Sequence, residues 1–187
     1  MPNWCANTTT VTGPKADRDA FLSAVTNPEG VIALCDLLLP FPTELEGREI
    51  TGPDGTVVGR AFTNEGRDWC LQNWGTKWGD CDTNLMAHND ETTVVFYDTA
   101  WSPMDAGLVN ISRLYPTLTF VTVYDEPGMA FMGAGRIVNG EILAGVETEY
   151  PVCEDWDDEN AVADHMDNLV FMRDQLRAEV TNDEVND

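Results

Sequence analysis

Lysine is nearly missing from this chain of 187 residues: there are two, and Lys and Arg together number 10 against 33 acids. The formal net charge is −23. That shortage excludes direct binding to nucleic-acid backbone, which needs clustered basic side chains. Histidine is as scarce as lysine, with 2 copies, so general acid–base chemistry lacks its commonest carrier. No apolar run approaches the roughly 18 residues that cross a bilayer; Leu37–Leu39 ends at once on Pro40. The opening MPNWCANTTT has neither the basic nor the apolar region of a secretory leader. A cytoplasmic protein without membrane association is therefore expected. The 5 cysteines (Cys5, Cys35, Cys70, Cys81, Cys153) are odd in number and form no C-x-x-C pair, which favours reduced thiols over a disulfide framework. G-x-S-x-G, P-loop and dinucleotide fingerprints are absent as well, and no cofactor is expected.

What is abundant is negative charge, and it has two physical readings. One is a solvating acidic surface suited to concentrated salt, where screening removes self-repulsion. The other is mimicry of DNA, in which carboxylates stand in for phosphates. Mimicry requires ordered rows of acids, which composition does not reveal.

The order of elements is clearer. TTTVTG (Thr8–Gly13) reads as a strand closed by a Gly-Pro break. Pro14 suits the first turn of a helix whose apolar face carries Ala20, Phe21, Ala24 and Val25. VIALCDLLLPFP is ambiguous until Pro40 and Pro42 impose irregular backbone. Thr43 to Gly66 reads as a long loop with a small hairpin at Thr56–Phe62, and Arg67–Asn73 as one or two helical turns. Thr92–Trp101 is a strand by its β-branched and aromatic content. A helix follows, with Ser102 as N-cap, Pro103 at its first position and a stripe of Met104, Leu108, Ile111 and Tyr115. Thr117–Pro127 is a further strand, and RIVNGEIL a hairpin turning on Asn139-Gly140. Beyond Pro151 lie an acidic cluster, Asp155–Glu159, an amphipathic helix over Ala161–Val180 and a frayed tail. The pattern predicts an α+β fold: a ferredoxin-like β-α-β-β-α-β sandwich over residues 1–150, with a loop insertion at about 43–90. Residues 151–187 add the acidic segment and the C-terminal helix. Both frame helices should cover one sheet face, leaving the other solvated or covered by Thr43–Asn89.

Four short stretches occur in a particular order: MPNWCANTTTVTG, LPFPTEL, NWGTKWGD and TAWSPM. In that order they resemble a functionally uncharacterised family of small proteins from phages and plasmids with a ferredoxin-like domain. The family opens with N-W-C-x-N, matched by Asn3, Trp4, Cys5 and Asn7. Its W-G-T-K-W motif, matched by Trp74, Gly75, Thr76, Lys77 and Trp78, is followed by an acidic residue. Here Gly79 comes before Asp80. The resemblance spans about Pro2 to Gly140. It implies a fold and a mobile-element origin, and supplies no catalytic residues.

Those motifs also hold the candidate site. Lys77 lies between two indoles, where cation–π attraction would hold its ammonium; the bland alternative is two core tryptophans and an internally paired lysine. Asn3, Cys5 and Asn7 share one strand face, so Cys5 is either a nucleophile beside polar amides or a buried structural thiol. Cys70, Cys81 and His88 lack the spacing of a zinc site, so no metal is expected. The resulting expectation is a non-enzymatic accessory protein that binds a host or viral protein, or a small ligand, near Trp74–Trp78. The ligand- or partner-binding residues would be Asn3, Trp4, Cys5, Asn7, Trp74, Gly75, Thr76, Lys77 and Trp78. The alternatives are a DNA-mimicking inhibitor and an enzyme using Lys77 or Cys5.

Overall fold

Alternation in NWCANTTTV builds the central strand, which starts at Trp4 rather than Thr8. In β1 (Trp4–Thr12), Cys5, Asn7, Thr9 and Val11 are buried on one face. The computed structural model describes residues 3–149, together with 167, 170–174 and 176. After Pro14 come α1 (Lys15–Ala24) and a short α2 (Leu34–Leu38). The inward face of α1 carries Arg18 and Phe21, with Val25 buried just past its end; Ala20 and Ala24, expected there, face solvent.

The segment expected as a loop with a small hairpin and one or two helical turns has more regular structure than that. It holds a 3-10 turn (Thr43–Leu45), a two-stranded ribbon of β2 (Glu46–Thr51) and β3 (Val57–Phe62), and α3 (Asn64–Asn73). Thr63 caps α3 by accepting the Gly66 N–H at 2.9 Å, the role hydroxyl residues favour at helix starts. Chain order then gives β4 (Cys81–His88), β5 (Thr93–Ala100), α4 (Asp105–Leu114), β6 (Thr119–Glu126), β7 (Phe131–Val138) and β8 (Glu141–Glu149). The inserted part therefore ends before Cys81, because β4 is the frame's second strand.

The main sheet runs β4-β5-β1-β6-β7-β8, antiparallel throughout. Its first four strands with α1 and α4 are the ferredoxin-like frame, as expected. The β7–β8 hairpin turns at Asn139 and Gly140, both at positive φ (46° and 85°), as a type I′ connection requires. One core lies beneath both frame helices. There Phe21 meets Tyr115 and Phe120 edge-on at 5.3 and 5.6 Å, and Leu108 and Ile111 of α4 pack on the sheet. Burying one such phenylalanine contributes about 2–3 kcal/mol. A second cluster (Val121, Val123, Met132, Ala134) lies on the opposite face, against Met172 and Leu176. That face is thus neither bare nor covered by Thr43–Asn89; described residues of the expected C-terminal helix pack there. The rest of Ala161–Val180, like the acidic cluster Asp155–Glu159, lies outside the described residues.

Arg18 fastens the two halves of the frame. Buried at the foot of α1, it donates to the carbonyls of Gly13, Asn89 and Asp90 at 3.1, 3.0 and 2.6 Å. A guanidinium satisfied by carbonyl oxygens pins α1 to the β4–β5 turn.

Candidate ligand- and partner-binding site

The residues of WGTKWGD divide into inward fasteners and outward groups. Trp74 turns inward and is 3% exposed. Its indole N–H donates to the Leu39 carbonyl at 2.9 Å, and its ring meets Trp69 edge-on at 5.2 Å and Phe41 at 6.0 Å. Gly75, at φ +82°, lets the chain turn against α4, where a Cβ would sit 3.2 Å from the Ala106 nitrogen. Thr76 is fully buried; its hydroxyl donates to the Ala100 carbonyl (2.9 Å) and accepts the Ala100 N–H (3.1 Å), closing the end of β5. Asp80 accepts the Leu34 and Cys35 N–H groups at 2.8 and 2.7 Å and the Thr83 hydroxyl at 2.9 Å. It supplies from afar the cap that α2 lacks locally. Ser102, expected as an N-cap, instead donates to the Gly75 carbonyl at 2.9 Å, and α4 begins only at Asp105.

Lys77 and Trp78 point the other way. The Lys77 Nζ lies 4.6 Å from the Trp78 ring centroid. Among the described residues it makes no ion pair, although the chain has 33 acids. The expected meeting of Trp74 and Trp78 around Lys77 is not formed, because the aromatic core under α2 and α3 claims Trp74. Trp78 meets Trp4 instead, at 6.1 Å between centroids and a 49° tilt. The N-terminal and central motifs therefore come together through their outward-facing tryptophans. Trp4 and Trp78 are 42% and 38% exposed, and Trp101, one residue past the cross-strand partner of Trp4, is 44% exposed. Trp101 sits at φ +77°, a left-handed conformation rare for a bulky residue, and its N–H donates to the Asn3 carbonyl at 3.0 Å.

The remaining NWCAN residues make contacts within the fold. Asn7 is buried and donates to the Cys5 carbonyl at 2.8 Å and the Thr99 hydroxyl at 2.9 Å. Asn3 packs on Gly128, where a Cβ would lie 2.6 Å from its amide nitrogen. Cys5 is fully buried, and burial foremost pushes its thiol up to about 12, with Asp125 and Glu126 adding to the rise. A thiol held protonated at neutral pH is a poor nucleophile, which favours the structural reading of Cys5.

Metal-ligand candidates do not assemble. Cys70 is in the core. Cys81 and His88 stand at opposite ends of β4, about 23 Å apart at the usual strand rise. The His88 imidazole contacts Asp19 (2.9 Å) and the Thr93 hydroxyl (2.8 Å). Among the described residues no three His, Cys, Asp or Glu side chains are placed to hold an ion.

Beside Trp78 opens a cavity of about 400 Å³, lined by Lys77, Arg67, Thr63, Asn64, Phe62 and Ile50 among others. Among the described residues, no acidic side chain lines it. Arg67 and Trp101 escaped sequence reasoning. Arg67 carried one usable signal: with 10 basic residues in the chain, any one close to the tryptophan cluster is informative.

Fold and site together define a ferredoxin-like α+β domain with an exposed indole surface beside a basic cavity. The chain belongs to the family described as the ferredoxin-like domain in Api92-like protein, whose model matches residues 73–166, half of the chain. It is also similar to the crystal structure of protein api92 from Yersinia pseudotuberculosis. There the TM-score is 0.52 at 12% identity, covering 83% of this chain and 100% of that one. At that identity the likeness speaks for the fold alone. No match is found among curated proteins. No helix among the described residues is long and apolar enough to cross a membrane.

Proposed function

We propose that this is a non-enzymatic accessory protein of a virus or plasmid, acting in the host cytoplasm, which binds a partner protein or small ligand through Trp4, Lys77 and Trp78. The observation that carries this is Lys77: one of 2 lysines in a chain of net charge −23 rests on an exposed indole with no carboxylate partner among the described residues. Any nearby acid would otherwise attract it, so the cation–π contact, worth about 0.5–1 kcal/mol at an exposed site, holds it in a chosen place. Exposed tryptophans with Arg67 lining the adjoining cavity have the make-up of an interface centre, where Trp and Arg are enriched. The protonated Cys5 weighs against nucleophilic catalysis. The mobile-element origin rests on the motif resemblance.

The acidic surface is read as salt adaptation. Exposed carboxylates occur on α1 (Asp19), α3 (Glu65, Asp68), β4 (Asp82), the following turn (Asp90, Glu91) and β8 (Glu141, Glu149). Scatter over so many elements favours a solvating coat over the single ordered row a DNA mimic needs.

The test is affinity capture from host lysate with the wild-type chain and the Lys77→Ala/Trp78→Ala variant. A species retained by the wild type and lost by the variant, at unchanged melting temperature, supports the proposal. Identical captures contradict it.

A further inference from the structure

Among the described residues, the walls of the cavity beside Trp78 carry charge opposite in sign to that of the chain. Of the described cavities with charged walls, one opens between Asp105 and Glu147 and another beside Asp19 and Lys15. The cavity at Trp78 alone combines two cations, Arg67 and Lys77, with no acid. The first turn of α3 also opens on it through Thr63 and Asn64. Thr63 takes the Gly66 N–H, and the positive end of a ten-residue helix adds a preference for anions. Arg67 is held only loosely elsewhere, its guanidinium 4.0 Å from Asp68 with 60% of its side chain exposed. The fourth wall is aromatic: Trp78 is fixed by Trp4 on one side and carries Lys77 over its ring. Phe62 and Ile50 complete an apolar margin.

We infer that this cavity binds a small anion joined to a planar ring, the chemistry of a nucleoside monophosphate. The phosphate meets Arg67, Lys77 and the start of α3, where a guanidinium can engage two oxygens at once. The base takes the Trp78 face that Lys77 leaves when its ammonium turns to the phosphate, since base–indole stacking, at about 1–3 kcal/mol per base, exceeds the about 0.5–1 kcal/mol of an exposed cation–π contact. The inference rests on reading the Trp78–Lys77 surface as a binding site, and it names the ligand class for that surface. A nucleic-acid strand is the wrong occupant, because its extended backbone would run on from the basic cavity into a strongly acidic surface.

The experiment is calorimetric titration of the full chain with adenosine monophosphate, adenosine and inorganic phosphate at about 0.15 M salt, where screening acts over about 8 Å. The monophosphate is expected to bind at least tenfold more tightly than either fragment. Arg67→Ala and Lys77→Ala should each weaken it about tenfold, and Trp78→Ala should reduce it to the affinity of inorganic phosphate. Because these side chains are exposed or half-exposed, all three variants should melt within about 4 °C of the wild type. The inference is overturned if the monophosphate gives no heat at millimolar concentration, if phosphate alone binds equally well, or if the variants bind as the wild type does. Should the monophosphate fail while lysate capture still depends on Lys77 and Trp78, only the ligand class falls. Should that capture be indifferent to them, the parent reading falls.

Discussion

Removing the Asp80 carboxylate tests whether the end of WGTKWGD is a fastener. In Asp80→Ala the Leu34 and Cys35 amides and the Thr83 hydroxyl lose an acceptor they hold at 2.7–2.9 Å. A hydrogen bond to a charged group contributes about 1.5–3 kcal/mol, and loss of a helix cap about 0.5–2 kcal/mol. Asp80 is half-buried, so water can take over part of the demand and the low end applies to each bond. At about 1.5 kcal/mol for each of the three bonds, the expected destabilisation is about 4.5 kcal/mol, or roughly 9–18 °C in melting temperature for a chain of this size. Asp80→Asn keeps one carbonyl acceptor and should lose about half as much. Urea denaturation followed by tryptophan fluorescence gives both numbers, with an unchanged slope showing that the unfolded state is unaffected. A loss below about 0.5 kcal/mol in Asp80→Ala would refute the reasoning, since α2 would then not depend on this cap.

Three further outcomes follow from the same geometry. Trp74→Ala should destabilise by about 3–5 kcal/mol, as large-to-small core changes do, whereas Trp78→Ala should stay within about 1 kcal/mol; equal losses in denaturant would contradict the inward–outward division. Burial, with Glu147 facing it, raises the Asp105 carboxyl above its ordinary range, so its contribution is full at low pH and is lost as pH rises through the folded-state value. Asp105→Asn should therefore melt higher than the wild type at pH 7, with the gap closing towards pH 3; a lower melting point at pH 7 would show that its favourable place in the first turn of α4 outweighs burial. If the carboxylate coat is salt adaptation, melting temperature should climb between about 0.1 M and 1 M NaCl as the screening length falls from roughly 10 to 3 Å; a flat profile would remove that reading.

The frame was legible because its strands and helices are locally consistent. TTVVFYDTA is β-branched and aromatic along its length, and Leu108 and Ile111 repeat at helical spacing. Asn139-Gly140 selects its turn without tertiary help. The insertion was less legible: β3 (VVGRAF) falls inside the expected hairpin, but β2 begins Glu-Gly-Arg-Glu, which carries little strand preference, and Phe41, Phe62, Trp69 and Trp74 pack together across some thirty residues of chain. The same long-range packing divided the site. Spacing placed Trp74 and Trp78 on equal terms, and only the pocket formed by Leu39, Phe41 and Trp69 decides which one is buried. That Trp4 would meet Trp78 depends on where β1 ends beside the insertion, which no local pattern encodes. Arg18 was hidden for a related reason: its partners are backbone carbonyls, which leave no mark in sequence.

The central claim is that two motifs meet in one outward surface, Trp4–Trp78 with Lys77, while Trp74 behind it belongs to the core. Nitrogen-15 labelling of the indoles tests this most directly, by following each tryptophan N–H as adenosine monophosphate is added. The account predicts that the Trp78 signal moves and exchanges freely with solvent, while the Trp74 signal, bonded to Leu39, stays protected and still. A Trp74 signal that shifts or exchanges together with Trp78, or a Trp78 signal as protected as Trp74, would contradict it.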